Sequence, residues 1–405
     1  MSAAVTTERV RDLTPAERDL SERFDRLPKS GVRADLFDAF AQTGLPHRRM
    51  EAWKWSDFRA SVGDLKTGGK SRKPLRVEGG IEVRFTGDEI SIPDDLPDGL
   101  NMFVKTEAQG FGDAELMPLG ALAASLVGKT VMVEVTKPVL QPVHMIFDGA
   151  GEGLQVARIA FVVREGASLS LVESHVGGAG FSDILMEFGL QAGASVDRTI
   201  YQSARADEAV AITTTGHLAT KAHFAQTVLA FGAKISRIET RLAYTGAEAK
   251  AEMNAAYLAR AGHHVDITSH VDHGAESCVA RQVTKGAVTD GGRGIFQGKF
   301  LVPRTVGQFT DADMQHNALL LENGAEVFAK PELEIYADDV ECAHGNTSGQ
   351  LDESALFYMR QRGISLNEAR ALLTEAFIAE ALEAAHETVR DQLLEQSRNF
   401  LSEEV

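Results

Sequence analysis

The chain has 405 residues, 44% of them hydrophobic, and a formal charge of −17 at pH 7. That is ample material for a buried core, and an acidic balance unbroken by any Lys/Arg cluster opposes nucleic acid and anionic membrane, which both demand positive charge. No run approaches the ~18 apolar residues of a membrane span, and the opening MSAAVTTERVRDL lacks the apolar segment and cleavage pattern of a leader, so a cytoplasmic location is expected.

The N-terminal part reads as helices. Thr14-Pro15-Ala16-Glu17 is a capping box with proline at the first helical position, because the Thr14 hydroxyl can accept from the Glu17 amide while Glu17 reaches back. A helix is expected from there to about Arg26, and a second over residues 32–42, with Leu36, Phe37 and Phe40 at helical spacing. Next, LPHRRMEAWKWSDF holds both tryptophans. Trp53 and Trp55 beside basic residues could make a binding platform, but large aromatics here more commonly cover a domain edge. Residues 66–74 turn to Gly, Lys, Ser and Pro and read as a linker or exposed loop. Short strands at 81–85, 89–92 and 102–105, a helical run at 116–126 and the strand VMVEV at 131–135 follow.

From near Val143, about 200 residues carry strand-like runs with almost no helical signal. Gly-Ala pairs from Gly149 to Gly324 punctuate them at spacings mostly close to multiples of about 13 residues, as in stacked repeats. Two such units per coil would make a parallel β-helix, and a large β-sandwich is the alternative. The expected organisation is a helical region at 1–75, a β core at 76–350 and a second helical region at 351–405. In the tail, Asp352 can cap a helix ending at Gly363, and Ser365-Leu366-Asn367-Glu368 is a capping box. The helix it starts sets Ala369, Leu372, Leu373, Ala376 and Phe377 on one stripe.

Three stretches could carry chemistry. In HHVDITSHVDHG, alternation puts His264, Asp266, Thr268, His270 and Asp272 on one face, a spacing that matches no helical zinc motif and reads as a solvated outer stripe. GGRGIFQGKF lacks phosphate-loop spacing and reads as a turn feeding a strand. In DDVECAHGNTSGQLDESALFYMRQRG, Cys342 and His344 lie two apart in an extended segment, so a thiol and an imidazole share a face. A single Cys there is commonly a small buried hydrophobe. As ligands, the two suit iron, copper or zinc, whereas an iron–sulfur cluster wants about four ligands, mostly Cys. With Cys278 and Cys342 the only cysteines, and no disulfide framework, a second chain would have to complete such a site. No G-x-S-x-G elbow, paired C-x-x-C or kinase signature appears.

The run KPELEIYADDVECAHGNTSGQLDESALFYMRQRGI, residues 330–364, resembles the C-terminal signature of the SufB/SufD family of iron–sulfur assembly proteins. GRGIFQGKFLV, QHNALLLENGAEVFAKPELEIYADD and LPHRRMEAWKWS are similar to the family as well, and to its SufD side in particular. The resemblance implies a mainly β fold, a right-handed parallel β-helix core flanked by N- and C-terminal helical regions. It implies a non-catalytic scaffold in complex with a SufB-like homologue and the SufC-like ABC ATPase, which carries the ATP hydrolysis. A transient iron–sulfur cluster would be shared with the homologue, served by His344 and, as an auxiliary thiol, Cys342, while Cys278 matches no functional motif. SufB-like chains are longer and richer in cysteine, which favours the SufD side. The tail at 363–381, with Leu372, Leu373 and Phe377, is where the ATPase would dock. In isolation the end that meets the homologue could also pair with itself as a homodimer. A β-helix carbohydrate enzyme, hinted at by Asp266 and Asp272, and a purely structural solenoid are the competing readings.

Overall fold

The computed structural model describes residues 12–402, apart from positions 113, 115 and 323; most of the opening stretch read above for a leader lies outside them. The N-terminal helices form where the capping pattern places them: α1 (Pro15–Arg26), α2 (Gly31–Thr43) and the short α3 (Phe58–Ser61). Thr14 accepts from the Glu17 amide at 3.2 Å, and Glu17 accepts from the Thr14 amide at 2.9 Å. A fully buried helix, α4 (Pro118–Leu126), packs against α2.

The described residues form nineteen strands. They are β1 (Ile81–Thr86), β2 (Glu89–Ser91), β3 (Leu100–Lys105), β4 (Thr130–Val135), β5 (Val143–Asp148), β6 (Leu154–Val163), β7 (Ser168–His175), β8 (Phe181–Leu190), β9 (Ser195–Gln202) and β10 (Ala209–Leu218). Then come β11 (His223–Ala230), β12 (Ile235–Tyr244), β13 (Lys250–Ala259), β14 (His264–Asp272), β15 (Val279–Val288), β16 (Arg293–Val302), β17 (Asp311–Leu320), β18 (Glu326–Ile335) and β19 (Glu341–Gly349). Odd-numbered strands from β5 onward stack in one sheet with β1 and β2, and even-numbered ones stack in the other with β3. Neighbours in each stack pair in parallel, which excludes the antiparallel sandwich and makes the core a parallel β-solenoid. Leu154 pairs with Phe181, Phe181 with Ala209 and Ala209 with Ile235, so successive coils are 27, 28 and 26 residues long. The period of about 13 is therefore half a coil, one strand and its turn.

Each strand points alternate side chains into the solenoid, and parallel register stacks them in columns. One column runs Val133, Phe161, Phe188, Gly216, Leu242, Val271, Phe300. In it Phe161 and Phe188 stack at 4.5 Å, each buried ring contributing roughly 1.5–3 kcal/mol. The two outer faces are covered differently. Leu20, Leu36, Trp53, Phe58 and α4 cover Phe181, Leu185 and Ile235 on the even-numbered sheet. The tail helices α5 (Glu353–Gln361), α6 (Leu366–Leu382) and α7 (Glu387–Ser402) follow the last strand, and Ile378, Leu382, Val389 and Leu393 pack on Val172, Leu229 and Leu258 of the odd-numbered sheet.

The loop expected at residues 66–74 holds, and two other local expectations shift. Residues 66–74 form no helix or strand, yet they are tied along the solenoid: the Gly69 amide donates to the Gly178 carbonyl at 2.7 Å, and the Arg72 amide donates to that of Val176 at 2.8 Å. The stripe on β14 alternates as expected but is not solvated. The N-terminal segment lies over it, Trp53 covers Arg237 at 4.0 Å, and Asp266 is fully buried, accepting from Ser56 and Arg237. On α6 the core-facing row is Ala369, Thr374, Ile378, Ala381 and Leu382. This row is rotated from the expected stripe, so Leu372 is 39% exposed while Leu373 and Phe377 lie half-buried at its border.

Candidate functional site

The two ends of the solenoid differ. At the first, β2 and β3 turn back antiparallel on β1 and β4. At the other, β18 and β19 are the final strands of their sheets, so among the described residues one backbone edge of each has no ladder partner, and α6 lies along β13 and β15 rather than across this end. Side chains that would be interior elsewhere are therefore uncovered here. β19 is exposed along almost its whole length, and β18 is half-exposed.

Register identifies what that uncovered row presents. Cys342 pairs with Ala312, His344 with Met314 and Asn346 with His316. All three partners are buried interior residues, so Cys342, His344 and Asn346 terminate interior columns and face out of the open end together. Cys342 is half-buried against the core, and burial, with Asp311 nearby, pushes its thiol above the ordinary range. It is a neutral thiol until a cation displaces its proton. His344 is exposed above Met314, for which Gly298 leaves space: a Cβ there would sit 2.3 Å from the Met314 sulfur. Around the rim, Phe309 and Tyr336 are 63% and 57% exposed.

Beneath the row lies a polar pair that the sequence gives no way to connect. Tyr257 Oη is 2.9 Å from His316 Nε2, and His316 Nδ1 is 2.7 Å from Asn346 Oδ1. Phe296 stacks flat on His316 at 4.8 Å, and burial lowers the imidazole to about 4, so it stays neutral. Tyr257 reaches it past Gly286, where a Cβ would lie 2.1 Å from the phenol ring. The Gly286-Ala287 pair is visible in the sequence only as punctuation; its role depends on which coil it stacks beneath.

Among the described residues, no group of three or more His, Cys, Asp or Glu could hold a metal ion. On the β14 stripe Asp266 is committed to Arg237 and Ser56, and burial lowers His264 and His270 to about 4. One thiol and one imidazole at the open end fit half of a soft-metal site, with the remaining positions facing outward. Cys278 is buried in the core, its Sγ within 3.5 Å of the Gly246 and Glu276 carbonyls. Among the described residues, no helix is long and apolar enough to cross a membrane.

Comparison with known proteins gives the family. Residues 145–377 match the family described as SUF system FeS cluster assembly, SufBD core domain. The iron–sulfur cluster assembly protein SufD of Escherichia coli is 28% identical over 385 residues, covering 88% of each chain. A SufBD family protein of Synechocystis is 25% identical over 87% of this chain and 86% of its own. One from Mycobacterium tuberculosis is 25% identical over 89% and 91%. On a match that spans more than half its length, the chain belongs to the SufBD family of iron–sulfur cluster assembly proteins.

Proposed function

We propose that the chain is a SufD-like scaffold subunit that works with a SufB-like homologue and a SufC-like ABC ATPase, and that a nascent iron–sulfur cluster is its cargo at the open end. The observation that carries this reading is the uncovered last coil, with Cys342 and His344 ending adjacent interior columns beside two unpaired strand edges. A homologous solenoid meeting these edges would satisfy their backbone groups, cover Phe309 and Tyr336, and bring its own ligands to the two held here. Loading iron onto Cys342 releases the thiol proton, so loading weakens as pH falls.

The ATPase contact is assigned to α6. Leu372 projects to solvent, and Leu373 and Phe377 border the packed face, so a partner there would pull on a helix seated on β13 and β15. ATP hydrolysis stays on the partner, and this chain supplies ligands and leverage. The homologue interface is tested by co-expressing all three chains with Phe309→Asp plus Tyr336→Asp on this one. Loss of the homologue with retention of the ATPase and of the circular dichroism spectrum is expected; undiminished recovery of the homologue would refute the open-end interface.

A further inference from the structure

Asn346 sits two residues beyond His344 in the same outward-facing row, and one feature distinguishes it from a surface amide: its oxygen is already committed to a buried imidazole. The buried Tyr257 hydroxyl must place its proton on an acceptor, and the acceptor it meets is His316 Nε2 at 2.9 Å. Burial pushes the phenol above its ordinary range, so that proton stays on the hydroxyl. With Nε2 accepting, the neutral imidazole carries its hydrogen on Nδ1 and donates it to Asn346 Oδ1 at 2.7 Å. The amide cannot then flip without breaking a bond to a buried group, and its NH2 group is turned away from His316 toward the open end.

We propose that Asn346 is a third site residue, whose NH2 donates to an anionic sulfur of the cargo, sulfide or thiolate, and that Tyr257 and His316 are positioning residues that hold it in this orientation. This rests on the cluster reading of the open end given above. The chemistry is that of an N–H donor beside cluster sulfur, which favours the more negative, reduced state and so raises the reduction potential. Space for the arrangement is built in, since both Gly286 and Gly294 would carry a Cβ within 2.3 Å of the Tyr257 ring.

The test is anaerobic reconstitution of the three-chain complex with ferrous iron and sulfide, followed by a redox titration read by electron paramagnetic resonance. Asn346→Ala is expected to lower the midpoint potential, and Asn346→Asp, which puts an anionic acceptor in place of the donor, to lower it further. Tyr257→Phe should also lower it although the residue is buried and does not touch the cargo, because His316 can then move its hydrogen to Nε2 and the amide can turn its oxygen outward. Cluster loss in Asn346→Ala with the complex intact also supports a contact to the cargo. A wild-type midpoint in both Asn346→Ala and Tyr257→Phe, or loss of the complex itself on Asn346→Ala, overturns the assignment. Failure of the wild-type complex to build any cluster would instead overturn the underlying cluster reading, and the assignment with it.

Discussion

Arg198 lies fully buried inside the solenoid, donating from Nε and Nη2 to Glu173 at 2.6 and 3.0 Å and from Nη1 to Thr214 and Gln226 at 2.8 and 2.9 Å. Burial alone would raise the Glu173 carboxyl, but Arg198 and His175 outweigh it and hold it at about 2. A buried pair of this kind matters most when half of it is removed, since the remaining charge has no water to turn to. Arg198→Ala is therefore expected to cost about 3–5 kcal/mol in urea unfolding, whereas the paired replacement Glu173→Leu, Arg198→Met should cost far less. Gly286→Ala belongs to the same scale: its methyl group enters the space of the Tyr257 ring and should destabilise by about 1–3 kcal/mol, with relief when combined with Tyr257→Ala. None of these contacts is legible in the sequence. Arg198, Glu173, Tyr257 and His316 are separated by whole coils, and only the ladder register brings them together, whereas Cys342 and His344 are two apart in one strand and needed only alternation to be found.

Elements were far more readable, because their signals are local. The Thr14 capping box, the Asp352 cap and the Gly363 stop act within four residues, and each marks a helix end in the structure. Where packing decides, the reading slips. The α6 stripe is rotated because its buried row is set by the strands it packs on, β13 and β15, rather than by the helix's own apolar residues, which leaves Thr374 inside and Leu372 outside. The polar stripe on β14 has the phase that alternation dictates but a covered environment, since its cover comes from residues some two hundred positions earlier, Ser56 among them. The rotation sharpens the prediction for the tail. Leu372→Glu with Phe377→Glu should abolish recovery of the ATPase in a pull-down while the circular dichroism spectrum is retained. Full recovery of the ATPase would move the contact elsewhere.

At the scale of the whole molecule, the repeat period is legible in the sequence, and it measures roughly half of a coil whose length runs from 26 residues to 33 near the last strands. What the period does not report is how the ends are finished: one end is closed by antiparallel strands, and at the other β18 and β19 are the last described strands of their sheets. A packed solenoid also sets the response to acid. Burial lowers His144, His264, His270, His273 and His316 from 6.5 to about 4. The unfolded chain thus takes up protons that the fold refuses, and stability is complete above pH 6.5 and lost as pH falls toward 4. Asp183, buried with both oxygens unpartnered among the described residues, acts in the opposite sense, as do Asp197, Glu208 and Asp272, whose carboxyls burial also raises; His175 and His263, lowered by burial, add to the imidazole side. The urea midpoint should accordingly fall steeply between pH 6.5 and 4; a flat profile there would contradict the burial of these imidazoles. The most direct test of the central claim is cluster assembly on the three-chain complex with His344→Ala, followed by visible absorbance under anaerobic conditions with iron and sulfide. The variant complex is expected to assemble with cluster absorbance lost or sharply reduced; full wild-type absorbance would contradict a ligand role for His344.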